Sequence, residues 1–244
     1  MTRPQVEVCD VAYAYPDGHA ALQGVSFTIQ PGASVALIGG NGAGKSTLLL
    51  HLNGVLLPQR GEVRIDDVPV TRASLATIRQ RVGLIFQDAD DQLFMPTVFD
   101  DVAFGLAREK LSADMLEARV MQALDTVGAG HLRERPPYRL SGGEKRAVAI
   151  AGILAMQPSL LVMDEPNSNL DPAARRRLIR LLAGLGHTQI IATHDLDLVL
   201  DLCSRVLILH QGRIVADGRP DTLFADVALL ARCHLEPPLS QQRR

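Results

Sequence analysis

Residues 39–47 read GGNGAGKST, and this stretch restricts the fold more than any other in the chain. It satisfies G-x-x-x-x-G-K-[ST], a loop that needs a strand to deliver it and a helix to receive it. Both neighbours have that character. SVALIGG (34–40) is a compact apolar run ending in glycines, and a helical pattern extends from Lys45 to about Leu56. The candidate loop residues are Gly39, Gly40, Asn41, Gly42, Ala43, Gly44, Lys45, Ser46 and Thr47. Glycines let backbone N–H groups turn inward around phosphate oxygens, and the helix start adds its dipole. Lys45 supplies a cation able to reach β- and γ-phosphates. Ser46 offers a hydroxyl to Mg²⁺, and Thr47 supports the phosphates.

A strand–loop–helix of this kind belongs to an α/β fold, and the rest of the chain agrees. RVGLIFQ (81–87), LLVMD (160–164), QIIATHD (189–195) and RVLILH (205–210) read as buried strands with helices between the later ones. That alternation predicts a mainly parallel sheet with helices on both faces. Asp171-Pro172 caps the helix AARRRLIRLLAGLG, whose apolar positions 178, 181, 182 and 185 share one face. QVEVCDVAYAY (5–15), VSFTIQPG (25–32) and GEVRIDD (61–67) read as strands that pair antiparallel. From Asp88 to about Tyr138 the pattern turns helical, with Ser112 as an N-cap and Gly128 as a stop. A further helix spans about Gly142 to Gln157. The predicted organisation is one domain over 5–225, with a helical insert at about 88–140 and a short tail at 226–244.

Composition narrows the function classes. At 47% hydrophobic residues, a chain of 244 residues can bury a sizeable core. Its formal charge of −2 carries no bias toward nucleic acid, and no nucleic-acid partner is expected. No apolar run approaches the roughly 18–20 residues that span a bilayer, and no signal peptide is expected at the start. Membrane association would therefore come through a partner. Cys9, Cys203 and Cys233 are scattered without a CxxC pair, which fits a reducing compartment. Cys233-His234 reads as an incidental pair on a terminal helix rather than a metal site.

LLVMDE (160–165) places Asp164 and Glu165 at the end of an apolar strand, the edge where ligands collect in open α/β sheets. Asp164 would hold Mg²⁺, directly or through water. Glu165 would polarise a water for attack on a γ-phosphate. LSGGE (140–144) adds Ser141, Gly142 and Gly143 at a second helix start, another anion site.

With LSGGE the chain resembles the nucleotide-binding subunits of ATP-binding cassette transporters, from about residue 5 to 225 and with the motifs in the family's order. The resemblance implies a P-loop NTPase fold: a RecA-like, mainly parallel core, an antiparallel β subdomain and an inserted α-helical subdomain. It implies ATP and Mg²⁺ as ligands. Tyr15 matches the aromatic that stacks on adenine, with Tyr13 the competing candidate. Gln87 matches the glutamine that opens the insert, near both Mg²⁺ and the attacking water. SNLD (168–171), including Asp171, matches the loop that contacts the opposite subunit, and His194 matches the switch histidine. The resemblance also implies a head-to-tail homodimer. Each ATP would lie between one subunit's phosphate loop and the other's Ser141, Gly142 and Gly143.

Within the family the chain looks most like ATPases of energy-coupling-factor importers, especially the cobalt and nickel group (CbiO- and NikO-like). LLLHLNGVLLP (48–58), DDQLFMPTVFDDVAFG (90–105) and LSGGEKRAVAIAGILAMQP (140–158) carry that closer likeness. It implies integral membrane partners, namely a transmembrane coupling protein and a substrate-binding component, and a peripheral position on the cytoplasmic membrane face. Cobalt is the expected cargo, nickel the next, and a vitamin the alternative. Asn167 stands where the family usually has Thr or Ser, and Asn169 where a small residue is common.

FQDADDQLFMPTVFDD (86–101) carries five aspartates. Counted from Asp88, it lacks the ligand spacing and the glycine of a calcium loop. The acids together with Leu93, Phe94, Met95 and Phe99 are expected to face the membrane partner.

Overall fold

The computed structural model describes residue 3 and residues 5–242. In chain order the strands are β1 (Val6–Ala14), β2 (Ala20–Ile29), β3 (Ser34–Ile38), β4 (Arg60–Ile65), β5 (Val68–Pro69), β6 (Val82–Ile85), β7 (Leu160–Asp164), β8 (Thr188–Ala192), β9 (Arg205–His210) and β10 (Arg213–Gly218). The helices are α1 (Lys45–Leu52), α2 (Leu75–Arg81), α3 (Val98–Phe104), α4 (Ala113–Thr126), α5 (Gly142–Ala155), α6 (Pro172–Gly184), α7 (Leu196–Leu202), α8 (Pro220–Ala225) and α9 (Val227–Arg232).

Among the described residues, ten strands form two sheets. The larger has the order β10-β9-β3-β8-β7-β6, parallel throughout except for the β9–β10 edge hairpin. The smaller, β2-β1-β4-β5, is antiparallel. The central strands β3, β7 and β8 are buried nearly end to end, as expected of a parallel sheet covered on both faces. One apolar cluster joins the sheets and holds α1 between them, through Leu48, Leu49 and Leu52. A second packs α6, α7, α8 and α9 onto the opposite face of the larger sheet. A third, built on Val98, Val102, Val120, Leu124 and Val148, holds α3, α4 and α5 together.

Several local expectations sharpen here. α1 stops at Leu52 rather than Leu56, because Asn53 closes it and Gly54 follows at φ 69°. β2 starts at Ala20, earlier than the apolar run indicated, because β1 supplies a partner along its whole length. Ser112 caps α4 by accepting from Met115 N, and Gly128 turns at φ 74°. The insert's apolar cluster takes in Val148, Ala151 and Ala155 of α5, beyond the expected bound at residue 140. The segment after 225 is folded. Leu229, Leu230 and Cys233 are buried in the second cluster, and Leu239 and Ser240 N–H groups donate to Asp197.

The aspartates of 86–101 are mostly spent within the chain. Asp88 accepts from Asp90 N, and Asp90 pairs with Lys145 at 2.6 Å. Asp100 shares a cap with Thr97 at the start of α3. Asp101 is buried and accepts from Phe94 N and Met95 N, both at 3.0 Å. Burial pushes the Asp101 carboxyl up, against those two N–H groups. Among the described residues only Asp91 lacks such a role, so the expectation that the acids as a group await a partner is corrected. Of the apolar residues in that expectation, Leu93 and Phe99 pack partly buried against the insert's own cluster, while Phe94 stands exposed, stacked edge to face with Phe104 at 4.9 Å.

Candidate nucleotide site

β3 ends at Ile38 and the chain turns at once into the phosphate loop. Two glycines there are obligatory for different reasons. A Cβ on Gly39 would lie 2.1 Å from the Leu209 carbonyl oxygen of β9. Gly44, the N-cap of α1, sits at φ 104°, where a side chain is strained. Lys45 opens α1 and folds back, its Nζ donating to the carbonyls of Gly39 at 2.7 Å and Gly40 at 3.3 Å. Burial pulls the Lys45 ammonium below its ordinary range, and Glu165 and Asp164 act against that pull.

The loop forms one side of a cavity of ≈ 390 Å³. Asn41, Gly42, Ala43, Gly44, Lys45, Ser46 and Thr47 line it together with Tyr15, Gln87, Asp164, Glu165 and His194. Residues from five separated stretches of sequence thus converge on one space. Gly39 and Gly40 contribute the carbonyls beneath Lys45 rather than the wall. Of the two tyrosines, Tyr15 reaches the cavity and its hydroxyl lies 3.0 Å from Thr47 Oγ1. Tyr13 instead packs edge-on against Tyr15 and the buried His51, so it faces the interior. His19 and Ala21, from the β1–β2 hairpin, complete the wall near Tyr15 and were not singled out by the sequence.

The acidic end of β7 has two unlike carboxylates. Burial pushes the Asp164 carboxyl up; a Ser46 hydroxyl hydrogen bond opposes that shift, Glu165 adds to it and Lys45 opposes it. Glu165 is 7% exposed and holds a left-handed backbone at φ 44°, its N–H donating to the Ala192 carbonyl. That conformation is uncommon for Glu and turns the side chain off the strand line. Glu165 Oε2 accepts from Thr193 Oγ1 at 3.1 Å and from His194 N at 3.4 Å. Glu165 Oε1 lies 2.8 Å from His194 Nδ1. The His194 side chain is 72% exposed, so it stands between the carboxylate and the open face. Thr193, fully buried, is a site residue that sequence reasoning passed over. A threonine after a strand carries no signal until its partner is known.

The residues toward Mg²⁺ are Ser46, Gln87 and Asp164. They bring a hydroxyl, an amide and one carboxylate to the same cavity as Lys45. That oxygen set fits Mg²⁺, which takes one or two protein carboxylates and fills the rest of its octahedron with phosphate and water oxygens.

Ser141, Gly142, Gly143 and Asp171 lie outside this cavity. Ser141 caps α5 in a reciprocal box with Glu144, whose carboxylate accepts from Ser141 N at 2.7 Å. Those Ser141 hydrogen bonds hold the Glu144 carboxyl below its ordinary range. Gly142 and Gly143 form the first turn, where backbone N–H groups have no carbonyl within the helix. Asp171 caps α6 by accepting from Ala173 N and Ala174 N. The two helix starts meet, since a Cβ on Gly143 would lie 3.3 Å from the Ala174 Cβ. A second face therefore combines Ser141, Gly142, Gly143 and Asp171.

The two unusual asparagines have distinct places. Asn169 sits at φ 60°, a backbone that Asn tolerates better than most side chains. Asn167 Nδ2 donates to Asp195 Oδ2 at 2.9 Å, and Arg175 clamps the same carboxylate through two nitrogens. Burial alone would raise the Asp195 carboxyl; the Arg175 and Leu198 N–H hydrogen bonds outweigh it and hold the group below its ordinary range. Asn167 thereby ties the segment after β7 to the start of α7, next to His194.

A phosphate loop, an acidic strand end and His194 around one cavity, on a six-stranded parallel-type sheet, define a nucleotide-binding protein of the P-loop class. The ABC transporter family profile matches residues 22–168, and the chain belongs to that family, as one of its ATP-binding proteins. It is 57% identical over 242 residues to a putative ABC transporter ATP-binding protein of Geobacter sulfurreducens, covering 99% of this chain and 97% of that one. It is 47% identical over 238 residues to the energy-coupling factor transporter ATP-binding protein EcfA of Methanothermobacter thermautotrophicus, covering 96% of this chain and 76% of the relative. Among solved structures, CbiO1 of Clostridium perfringens, described as part of the ABC transporter complex cbiONQ, superposes with a TM-score of 0.84 at 40% identity and covers 94% of each chain. No helix among the described residues is long and apolar enough to cross a membrane.

Proposed function

We propose that this chain is the ATP-hydrolysing subunit of an energy-coupling-factor importer for a transition-metal ion, cobalt first and nickel next. The observation that carries the hydrolytic part is the convergence of Lys45, Asp164, Glu165 and His194 on one cavity. Mg²⁺ bound by Ser46 and Asp164, with Gln87 nearby, would neutralise phosphate charge. The chain's own residues do the rest. The loop N–H groups and Lys45 bind and orient the β- and γ-phosphates, and Tyr15 stacks on the adenine. Glu165, held by Thr193 and His194, accepts a proton from the attacking water. His194 keeps that carboxylate turned toward the γ-phosphate position.

The second face supports a head-to-tail pair. Helix-start donors at Gly142 and Gly143 suit the outer side of a γ-phosphate bound by another copy's loop, and Asp171 lies beside them. ATP then acts as a bridging ligand, and its loss reopens the pair. The exposed Phe94–Phe104 pair on the insert is the surface we assign to the transmembrane coupling protein. The likeness to CbiO1, part of the ABC transporter complex cbiONQ, supports assembly into a multi-subunit transporter.

Two experiments test this reading. Glu165→Gln should abolish turnover while ATP binding persists; unchanged turnover removes Glu165 from the mechanism. The chain purified with its membrane subunits should drive ATP-dependent Co²⁺ uptake into vesicles. Uptake of a vitamin with no response to Co²⁺ or Ni²⁺ would replace the cargo while leaving the ATPase in place.

A further inference from the structure

Arg146 is buried, 5% exposed, on α5 one turn beyond the Ser141–Gly143 start. Its two terminal nitrogens donate to the carbonyls of Phe86 at 2.6 Å and Gln87 at 2.5 Å. These carbonyls come directly after the last ladder residue of β6, Ile85, where the sheet no longer supplies partners. Burial pulls the guanidinium below its ordinary range, and only the charge of Asp88 opposes that pull. An apolar side chain of similar length would fill the same space without the desolvation cost of a buried cation. The arginine's place is therefore accounted for by what it holds.

Neighbouring contacts run in the same direction. Lys145 pairs with Asp90, and Gln92 donates to the Ala149 carbonyl while accepting from Phe86 N. Three successive points on α5 thus stitch residues 86–92 to the helix. One end of this assembly is Gln87, on the wall of the nucleotide cavity; the other is the Ser141–Gly143 face, outside it.

We infer that Arg146 is a positioning residue that fixes the backbone of Phe86 and Gln87 to α5 and thereby sets where Gln87 stands in the nucleotide cavity. This rests on the ATPase reading above. A fork of two donors on consecutive carbonyls fixes rotation as well as translation, which a single point contact cannot do. Arg146 touches neither nucleotide nor attacking water, so its loss should act on kcat and on Mg²⁺ dependence while nucleotide affinity holds.

The test compares Arg146→Met, Arg146→Lys and the unaltered full-length chain in amide hydrogen exchange, ATP affinity, Mg²⁺ titration of hydrolysis and thermal unfolding. Arg146→Met should speed exchange at residues 86–92 by about tenfold or more, with β4 and β5 unchanged. Its kcat should fall by about tenfold, its half-saturating Mg²⁺ should rise, and its ATP affinity should stay within about threefold. Arg146→Lys, with one compact ammonium, should recover part of each effect. Unchanged exchange at 86–92, or faster exchange in every element alike in both variants, would overturn the inference, as would unchanged kcat and Mg²⁺ dependence in an active enzyme. The exchange arm needs no hydrolysis. If the unaltered chain fails to hydrolyse ATP, the ATPase reading fails, and local exchange still decides whether Arg146 locks Gln87 to α5.

Discussion

The phosphate loop and the start of α5 are both helix N-termini rich in glycine, yet they are finished to different degrees. Around the loop the chain supplies a lysine, two carboxylates, a glutamine, a tyrosine and two histidines, all lining one cavity. Around the start of α5 the surroundings differ: Glu144 closes the cap, Ala174 lies against Gly143, and Gly143 lines a separate pocket with Asp125, Arg177 and Arg180. In the head-to-tail pair proposed above, the first region would hold one side of an ATP and the second, from another copy, would hold the other.

Substitutions at the first region should have the largest effects. Lys45→Ala removes the phosphate cation and should reduce ATP affinity by about 100-fold or more, read by equilibrium binding. Glu165→Gln should lower kcat by about 10²–10⁴-fold with ATP affinity retained. A comparable loss of affinity in this variant would mean that Glu165 binds rather than catalyses.

The second region should respond differently. An added Cβ at Gly142 meets nothing within 4 Å, so Gly142→Asp should fold normally. Its carboxylate would oppose a phosphate presented by another copy. Hydrolysis should drop by about 100-fold, the scale of one lost transition-state donor, while binding to the separate chain is unaltered. Equal activity would leave the α5 start with only a structural role.

Smaller effects probe the supports. Thr193→Val deletes the hydroxyl that donates to Glu165 and should cost about tenfold in kcat, the worth of one hydrogen bond. His51 concerns stability alone. Its Nδ1 meets the Thr47 carbonyl at 2.7 Å, and burial pulls its imidazole below the ordinary range. The unfolded chain therefore takes up a proton at a higher pH than the folded one. Stability from this residue is intact above the ordinary histidine range and declines as pH falls through it, by at most about 1.4 kcal/mol per pH unit. His51→Gln should flatten that decline, measured by urea midpoints at about pH 7.5 and about pH 5.5.

The two regions were also unequally legible in the sequence. GGNGAGKST and LLVMDE announce themselves because their chemistry depends on residue type and local spacing. LSGGE was legible for the same reason, and Ser112, Ser141 and Asp171 cap helices in ways set by neighbours a few residues away. Tyr15 was favoured over Tyr13 by the family resemblance and not by local pattern, because which tyrosine reaches the cavity depends on the irregular β1–β2 register. Thr193 and Arg146 were invisible for a related reason. Their partners are 28 and 60 residues away, and only the packed sheet brings them together. The aspartates of 86–101 misled, because a run of charge gives no sign of how many members are already committed to caps, a buried turn and Lys145. The α5 stitch that consumes one of them is itself a tertiary feature.

The central claim, that one copy's loop and another copy's α5 start share an ATP, is tested most directly by mass in solution. Light scattering on the Glu165→Gln chain should give one chain without nucleotide and two with Mg²⁺ and ATP, and the added Gly142→Asp should return it to one. A mass that ignores ATP, or a pair that persists unchanged through Gly142→Asp, would contradict the account.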